Sequence, residues 1–425
     1  MTRTSSGKAL FVSYGGGHIA MVIPVIKALE RLGIQSDVMA LTTAHVKAVQ
    51  AGLRPLGYRD FLHLVDRDAA LAHGQRLMEG NQHPDVDPLE SCAYLGINFL
   101  EWVDAHGLQG AQALLEQNGR RGFLPLRFMG RVIDELQPAV VVTTNSPRSE
   151  QAAIEAAVER GIPSLSMVDL FALDYDPYLR RKVHADRITV LADAVKSKLV
   201  AAGIAPQSIR VTGNPAFDAL MVPQHREQAL ALRKRLGWAQ HTVVLWAGHL
   251  ESGPDTPAEW RDEKFGLLVE ATLRDWVDRR PDAALIVRYH PNEFPQFPWL
   301  GDHPRVHLSH PGVEPVHTAL LAADAAVVQT TTVGVEAAVA GLNVFALSFS
   351  PFVRSSGLDY STLGLAHGVP SLDALVPMLD QYASTPASPE GRFNAGKSAQ
   401  SVAAEIAALS TALRREDPRT AASRA

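Results

Sequence analysis

Four short stretches place chemistry-bearing residues where apolar runs end. The first is Gly15-Gly16-Gly17-His18, which closes the first apolar run and opens a long helical pattern. Glycine lets a backbone turn sharply and approach a ligand. The helix that follows directs its positive end at that ligand. His18 stands where a general base would stand, with an ordinary pKa of about 6.5. The competing reading is a loop histidine that caps a backbone group. The spacing is not G-x-G-x-x-G, so the dinucleotide fingerprint is absent and hydride chemistry loses its main support.

The second stretch is TTNSPRSE, Thr143–Glu150. Ser146 reads as a helix N-cap with Pro147 at the first helical position. Asn145 is then placed to bind a hydroxyl and Arg148 an anion; the plainer reading is a well-capped helix with a solvated arginine. The third stretch, SMVDLFALDYDPY, follows another strand pattern and makes Asp169 a second candidate base. Asp174 joins Asn145 and Arg148 as a candidate contact for sugar or acceptor. Asp174-x-Asp176 matches a short metal-holding motif, but two aspartates in a polar loop are common, and no metal is expected.

The fourth group lies in the second half. Gly248-His249, His290-Pro291 and Thr330-Thr331-Thr332 each end a strand pattern, and Glu336 falls one turn beyond Thr332 on the same helix face. Hydroxyls and free N–H groups at a helix start suit phosphate oxygens, a carboxylate one turn further in suits a ribose diol, and His290 can donate to a phosphate. Gly16, Gly17, Gly248, His290, Thr330, Thr331, Thr332 and Glu336 are therefore the expected nucleotide contacts. The plainer reading is an N-cap run and a solvated glutamate. G-x-S-x-G, the P-loop, H-E-x-x-H and paired-cysteine motifs are all missing, and the sixteen histidines lack metal spacing.

The elements that must position these residues follow from periodicity. Ala9–Tyr14, Ser36–Ala40, Pro138–Thr144 and Ser164–Val168 read as strands, as do DRITVLA and SIRVTGNP, with helices over Ile19–Leu32, Pro147–Arg160 and Asp193–Ala202. The pattern restarts with His241–His249, Ala283–Glu293 and the strand–helix–strand Ala323–Leu347. Apolar strands alternating with helices mean parallel sheets covered on both faces. The expected fold is α/β, with two doubly wound Rossmann-like domains facing a cleft. An N-terminal domain spans 1–218, with a mostly helical insertion over about 59–130. A second domain spans 219–397, joined near Pro215–Trp238, and 398–425 holds a helix and a disordered tail over RREDPRTAASRA. In such sheets ligands bind beyond the carboxyl ends of the strands, at the switch point.

Composition sets outer bounds. The chain has 425 residues, 46% of them apolar, enough for two or three domains with a sizeable core. A net charge of −5 without a basic block argues against nucleic-acid partners. The single cysteine, Cys92, precludes an intrachain disulfide and fits a reducing compartment. The polar start MTRTSSGK and the lack of a membrane-length apolar run predict a cytoplasmic protein, one that visits a membrane surface only if its acceptor is membrane-bound.

Several blocks resemble known proteins. GGGHIAMVIPVIKALERLG resembles the N-terminal loop and helix of GT-B glycosyltransferases, among them the enzyme that adds N-acetylglucosamine to the lipid-linked cell-wall precursor and the plant-type UDP-sugar transferases. VKSKLVAAGIAPQSIRVTGNPAFDAL looks like the block that closes the first domain in GT-B proteins and in UDP-N-acetylglucosamine 2-epimerases. RYHPNE and TTTVGVEAAVAGLNV look like that superfamily's nucleotide loops, and also like the histidine-proline and serine-serine motifs of bacterial sialyltransferases and capsule polymerases. The likeness covers about two-thirds of the chain in separated blocks.

The resemblance implies an inverting, metal-independent glycosyltransferase without a cofactor. It would carry a sugar from a nucleotide-sugar donor, UDP-linked by preference with CMP or CDP left open, to a hydroxyl of a glycan, lipid-linked or natural-product acceptor. His18 would match the base histidine, although the proline that usually follows closely appears only at Pro24. His290, Thr331, Thr332 and Glu336 would match the nucleotide site. The 2-epimerases are the nearest rival. Their arginine-bearing loop is replaced here by Gly15–His18, their "GDT" by Thr144-Asn145-Ser146, the glutamate after the next strand by Asp169, and their doubled glutamate by Glu336-Ala337. These departures point away from epimerisation. A sugar-nucleotide hydrolase and a non-catalytic nucleotide-sugar-binding subunit stay open beside it. Oligomeric state is not legible.

Overall fold

The computed structural model describes residues 7–79, 85–171, 176–384 and 393–416. These form two compact units. One runs to Ala216 and takes back the chain from Lys397; the other runs from Phe217 to Gly396.

The first unit is built on a six-stranded parallel sheet of β1 (Ala9–Tyr14), β2 (Ser36–Leu41), β3 (Val140–Thr144), β4 (Ser164–Met167), β5 (Arg187–Val190) and β6 (Ile209–Val211), in the order β2-β1-β3-β4-β5-β6. Successive side chains of a strand face opposite sides, and both sides are buried here. Leu10, Val12 and Val141 enter one core and Ala9, Phe11, Val140 and Val142 the other. At about 1.5–3 kcal/mol for each large apolar side chain fully buried, the two cores hold the sheet from both faces.

The helical segment after β2 covers the first of those faces. Its helices Arg67–Leu77, Pro88–Asn118 and Leu126–Leu136 send Ala70, Tyr94, Ile97, Phe128 and Val132 into one cluster with Leu10 and Val12. The first two cross closely, because a Cβ on Gly96 would overlap the Ala70 carbonyl and one on Gly74 the Cys92 carbonyl. Helix Pro88–Asn118 turns at Gly107, whose φ is +71°. The other face is covered by helix His18–Arg31 and by helix Ser398–Glu416, which contributes Ala399, Val402, Ala403 and Ile406. Arg414 to Glu416, expected in a disordered tail, are helical; residues 417–425 lie outside the described residues.

The second unit has a parallel sheet of β7 (Thr242–Gly248), β8 (Ala283–Tyr289), β9 (Val306–Leu308), β10 (Ala325–Val328), β11 (Asn343–Ala346) and β12 (His367–Gly368), in the order β12-β11-β10-β7-β8-β9. The segment expected as a join contains helix Pro223–Arg235, which packs on helix Val316–Leu321 of this unit. Strand order reverses between β1 and β3 in the first unit and between β7 and β10 in the second, so each sheet has a switch point of the kind where ligands bind.

Candidate active site

At the first switch point, Gly15 turns the chain out of β1 with φ +86°. Gly17 precedes helix His18–Arg31 with no side-chain cap and no acidic residue in the first turn, so the helix's N–H groups stay unsatisfied by side chains. A Cβ at Gly16 would press on Lys47, whose Nζ donates to the Gly16 carbonyl at 2.9 Å.

His18, the first helical residue, is clamped. Its Nδ1 lies 2.7 Å from Thr144 Oγ1 at the end of β3. Thr144 gives its one hydroxyl proton to Glu150 Oε2 at 2.5 Å, so it must accept from His18, and Nδ1 carries a proton. Glu150 is fully buried and also accepts from the backbone N–H groups of Tyr14 at 2.7 Å and Ser146 at 3.0 Å. Its Oε1 is 3.8 Å from His18 Nδ1, and on the other side His18 Nε2 is 3.4 Å from Asp169 Oδ2. Burial alone would lower the histidine's pKa, but Asp169 and Glu150 outweigh it and raise it to about 10. Burial alone would raise the Asp169 carboxyl, but His18, with the Leu170 N–H and Asn145, holds it below its ordinary value. His18 was expected as a free base; here its neighbours favour the imidazolium that bears both protons, a form that leaves the Asp169 carboxylate, its side chain 34% exposed, as the acceptor group of the pair.

Asn145 works on the scaffold. Its Oδ1 accepts from the Asp169 N–H at 3.1 Å, its Nδ2 donates to Asp176 at 3.2 Å, and its carbonyl accepts from Arg181 at 2.8 Å. Asp176 caps the turn Pro177–Arg180 by accepting from the Tyr178 N–H. Asp174 lies outside the described residues. The helix after β3 starts at Ser149, not Pro147, and Ser146 is not its cap. Arg148 takes the cap position at φ +70°, a conformation that a non-glycine residue keeps only when its surroundings enforce it. Its guanidinium lies 4.3 Å over the Tyr14 ring and donates to Tyr94 Oη at 3.3 Å.

At the second switch point the structure gathers Gly248, His290, Thr331, Thr332 and Glu336 around a cavity of about 270 Å³, together with Arg288, Tyr289 and Val316. Gly248 has no room for a Cβ beside the Trp246 ring. Thr331 caps helix Thr332–Val339 by accepting from the Val333 N–H. Tyr360 donates to the carbonyls of Thr330 and Thr331 and fixes this strand end. Thr330 turns to the neutral, buried His249, whose Nε2 faces the Thr330 N–H and hydroxyl at 3.3 Å while Nδ1 is spent on the Leu250 carbonyl; Thr330 does not line the cavity. Glu336 makes no side-chain hydrogen bond among the described residues. Its buried Oε2 lies 3.5 Å from His317 Nε2. Among the described residues, no three His, Cys, Asp or Glu side chains gather as a metal site would require.

A scan against protein-family models finds no match, and neither does a search of curated proteins. Solved structures do match. The UDP-GlcNAc 2-epimerase from Methanocaldococcus jannaschii aligns over 94% of this chain and 99% of its own, with a TM-score of 0.60 and 15% identity. The UDP-GlcNAc 2-epimerase from Neisseria meningitidis bound to UDP-GlcNAc aligns over the same shares at TM-score 0.55 and 15% identity. The S. aureus MnaA–UDP co-structure covers 94% and 96%, again at 0.55 and 15%. The chain has the GT-B fold.

Within that GT-B framework the expected contacts divide. Gly16 and Gly17 belong to the first unit with His18, Asn145, Arg148 and Asp169, whereas the other nucleotide candidates belong to the second. Two residues escape a reading of the sequence. Glu150 carries the signal of an acid in a helix's first turn. Arg288 is a lone charge inside the apolar strand AALIVRY, two residues before His290. No helix among the described residues is long and apolar enough to cross a membrane.

Proposed function

We propose that this protein is a UDP-sugar-dependent glycosyltransferase that uses neither metal nor cofactor. The observation that carries the reading is Asp169, a partly exposed carboxylate aligned by a histidine that a buried glutamate fixes from behind. In the proposed step an acceptor hydroxyl gives its proton to Asp169 as its oxygen bonds to the donor's anomeric carbon. The bond from that carbon to the diphosphate breaks, and the nucleoside diphosphate leaves. Positioned proton transfer of this kind contributes about 10²- to 10⁴-fold. His18 supplies no base; it keeps Asp169 ionised and oriented. The donor's nucleoside takes the cavity of the second unit, with Glu336 on the ribose and the diphosphate against Thr331, Thr332 and His290. The N–H groups of helix Thr332–Val339 then stabilise the leaving anion. The solved matches named with UDP-GlcNAc or UDP support UDP as the carrier.

Those same names favour a second reading, epimerisation of a UDP-sugar, for which two carboxylates flanking one imidazolium would be the acid–base set. Calorimetry with UDP, CMP, CDP, GDP and dTDP, with and without EDTA, tests the donor site; UDP binding unaffected by EDTA is expected. NMR of UDP-GlcNAc incubated with the protein then separates the reactions. Conversion to a new UDP-sugar without any acceptor would establish the second reading, whereas UDP release that depends on an added hydroxyl acceptor supports the first.

A further inference from the structure

Arg288 is an unusual wall for the second unit's cavity. It sits inside β8 and is only 7% exposed. Its Nη1 donates to Ser309 Oγ at 2.7 Å and to the Glu314 carbonyl at 2.9 Å, both in the segment between β9 and helix Val316–Leu321. Its Nε and Nη2 make no hydrogen bond among the described residues, although the residue lines the cavity. Burial pulls the guanidinium's pKa down, with Glu314 and Glu336 opposing. Arginine can only donate, and these two nitrogens, unpartnered yet not fully enclosed, stay open to solvent. The cavity thus presents donors of Arg288 that no hydrogen bond among the described residues uses, beside the Glu336 carboxylate, whose buried Oε2 lies 3.5 Å from His317 Nε2.

We propose that Arg288 selects the donor's base, accepting the keto oxygen of uracil and rejecting cytosine. This rests on the reading of the cavity as a nucleotide site. The residues that line the cavity differ in exposure. Thr332 and His290 are exposed, which suits a hydrated diphosphate, whereas Arg288 and Tyr289 are buried, which suits a flat, weakly hydrated ring. The volume, below the roughly 300–1,000 Å³ of pockets that engulf whole ligands, fits a nucleoside portion with the sugar outside. Uracil presents a carbonyl at position 4, where cytosine presents an amino group. Against a guanidinium the first makes a hydrogen bond and the second opposes donor to donor, leaving both unpaired.

The test compares ligands on the unaltered protein first. Calorimetry should give UDP an affinity about tenfold or more above CDP, which carries the same diphosphate. Arg288→Met should weaken UDP by about that factor and leave CDP unchanged, and Arg288→Lys should fall between. Equal affinities for UDP and CDP on the unaltered protein would sink the assignment even if Arg288→Met failed to fold. An equal loss of both nucleotides in Arg288→Met would move the guanidinium to the phosphates and also overturn it, as would GDP binding best. Failure of UDP, CDP, GDP and dTDP all to bind would instead bring down the nucleotide reading beneath it.

Discussion

The two switch points are built from the same ingredients and left in opposite states. At the first, the central side chains Glu150, Thr144, His18 and Asp169 are engaged with one another. Glu150 accepts three hydrogen bonds, Thr144 bridges it to His18, and His18 reaches Asp169, which Asn145 steadies. At the second, among the described residues, Glu336 makes no side-chain hydrogen bond and Arg288 keeps two nitrogens free. A saturated network fixes protonation states before any ligand arrives. An unsaturated one in a cavity retains the hydrogen-bonding capacity that a ligand then uses. The contrast supports the proposal that reaction belongs to the first unit and recognition to the second.

The sharpest way to break that contrast is Asp169→Asn. It should lower turnover by about 10²- to 10⁴-fold while calorimetry finds UDP affinity within about twofold of normal; a parallel loss of affinity would erase the division of labour. Glu150→Ala should reveal how strongly the first network is held together. It strands the Tyr14 and Ser146 N–H groups and the Thr144 hydroxyl and removes one counter-charge of His18. Urea unfolding should show a loss of about 3–5 kcal/mol, against less than about 1 kcal/mol for Glu336→Ala. The latter should cost about tenfold in UDP affinity, so a Glu336→Ala protein with normal affinity would contradict the second half of the comparison. The smallest effect is one of pH. Because folding raises the His18 pKa from 6.5 to about 10, its contribution is fully present below pH 6.5 and is lost as pH rises through about 10. The stability advantage over a His18→Gln protein should shrink across that window, by a few kcal/mol at most. A constant difference from about pH 6 to about pH 10.5 would mean that His18 is not charged.

Legibility in the sequence followed locality. β1, β7 and β8 were readable because a strand buried on both faces is a continuous apolar run, and the grouping of Thr331, Thr332 and Glu336, though not their role, because one helix start carries all three. Glu150 was not, since its role depends on Tyr14, 136 residues earlier in the chain. The start of its helix was misplaced for a related reason: tertiary contacts with Tyr14 and Tyr94 accompany a backbone conformation at Arg148 that residue preferences do not foresee. Arg288 reads as an ordinary interruption of a strand unless its unused nitrogens are set beside the cavity they face. β9 and β12, three and two residues long, carry too little pattern to detect.

Helix Ser398–Glu416 has a consequence for how the molecule is made. It supplies part of the core beneath helix His18–Arg31, yet the whole of the other unit, Phe217 to Gly396, is synthesised before it. On the ribosome the second unit therefore has all its strands while the first still lacks the core contribution of Ala399, Val402, Ala403 and Ile406. The half that emerges first is the half that matures last, and for that interval its uncovered helix is a surface for chaperones to guard.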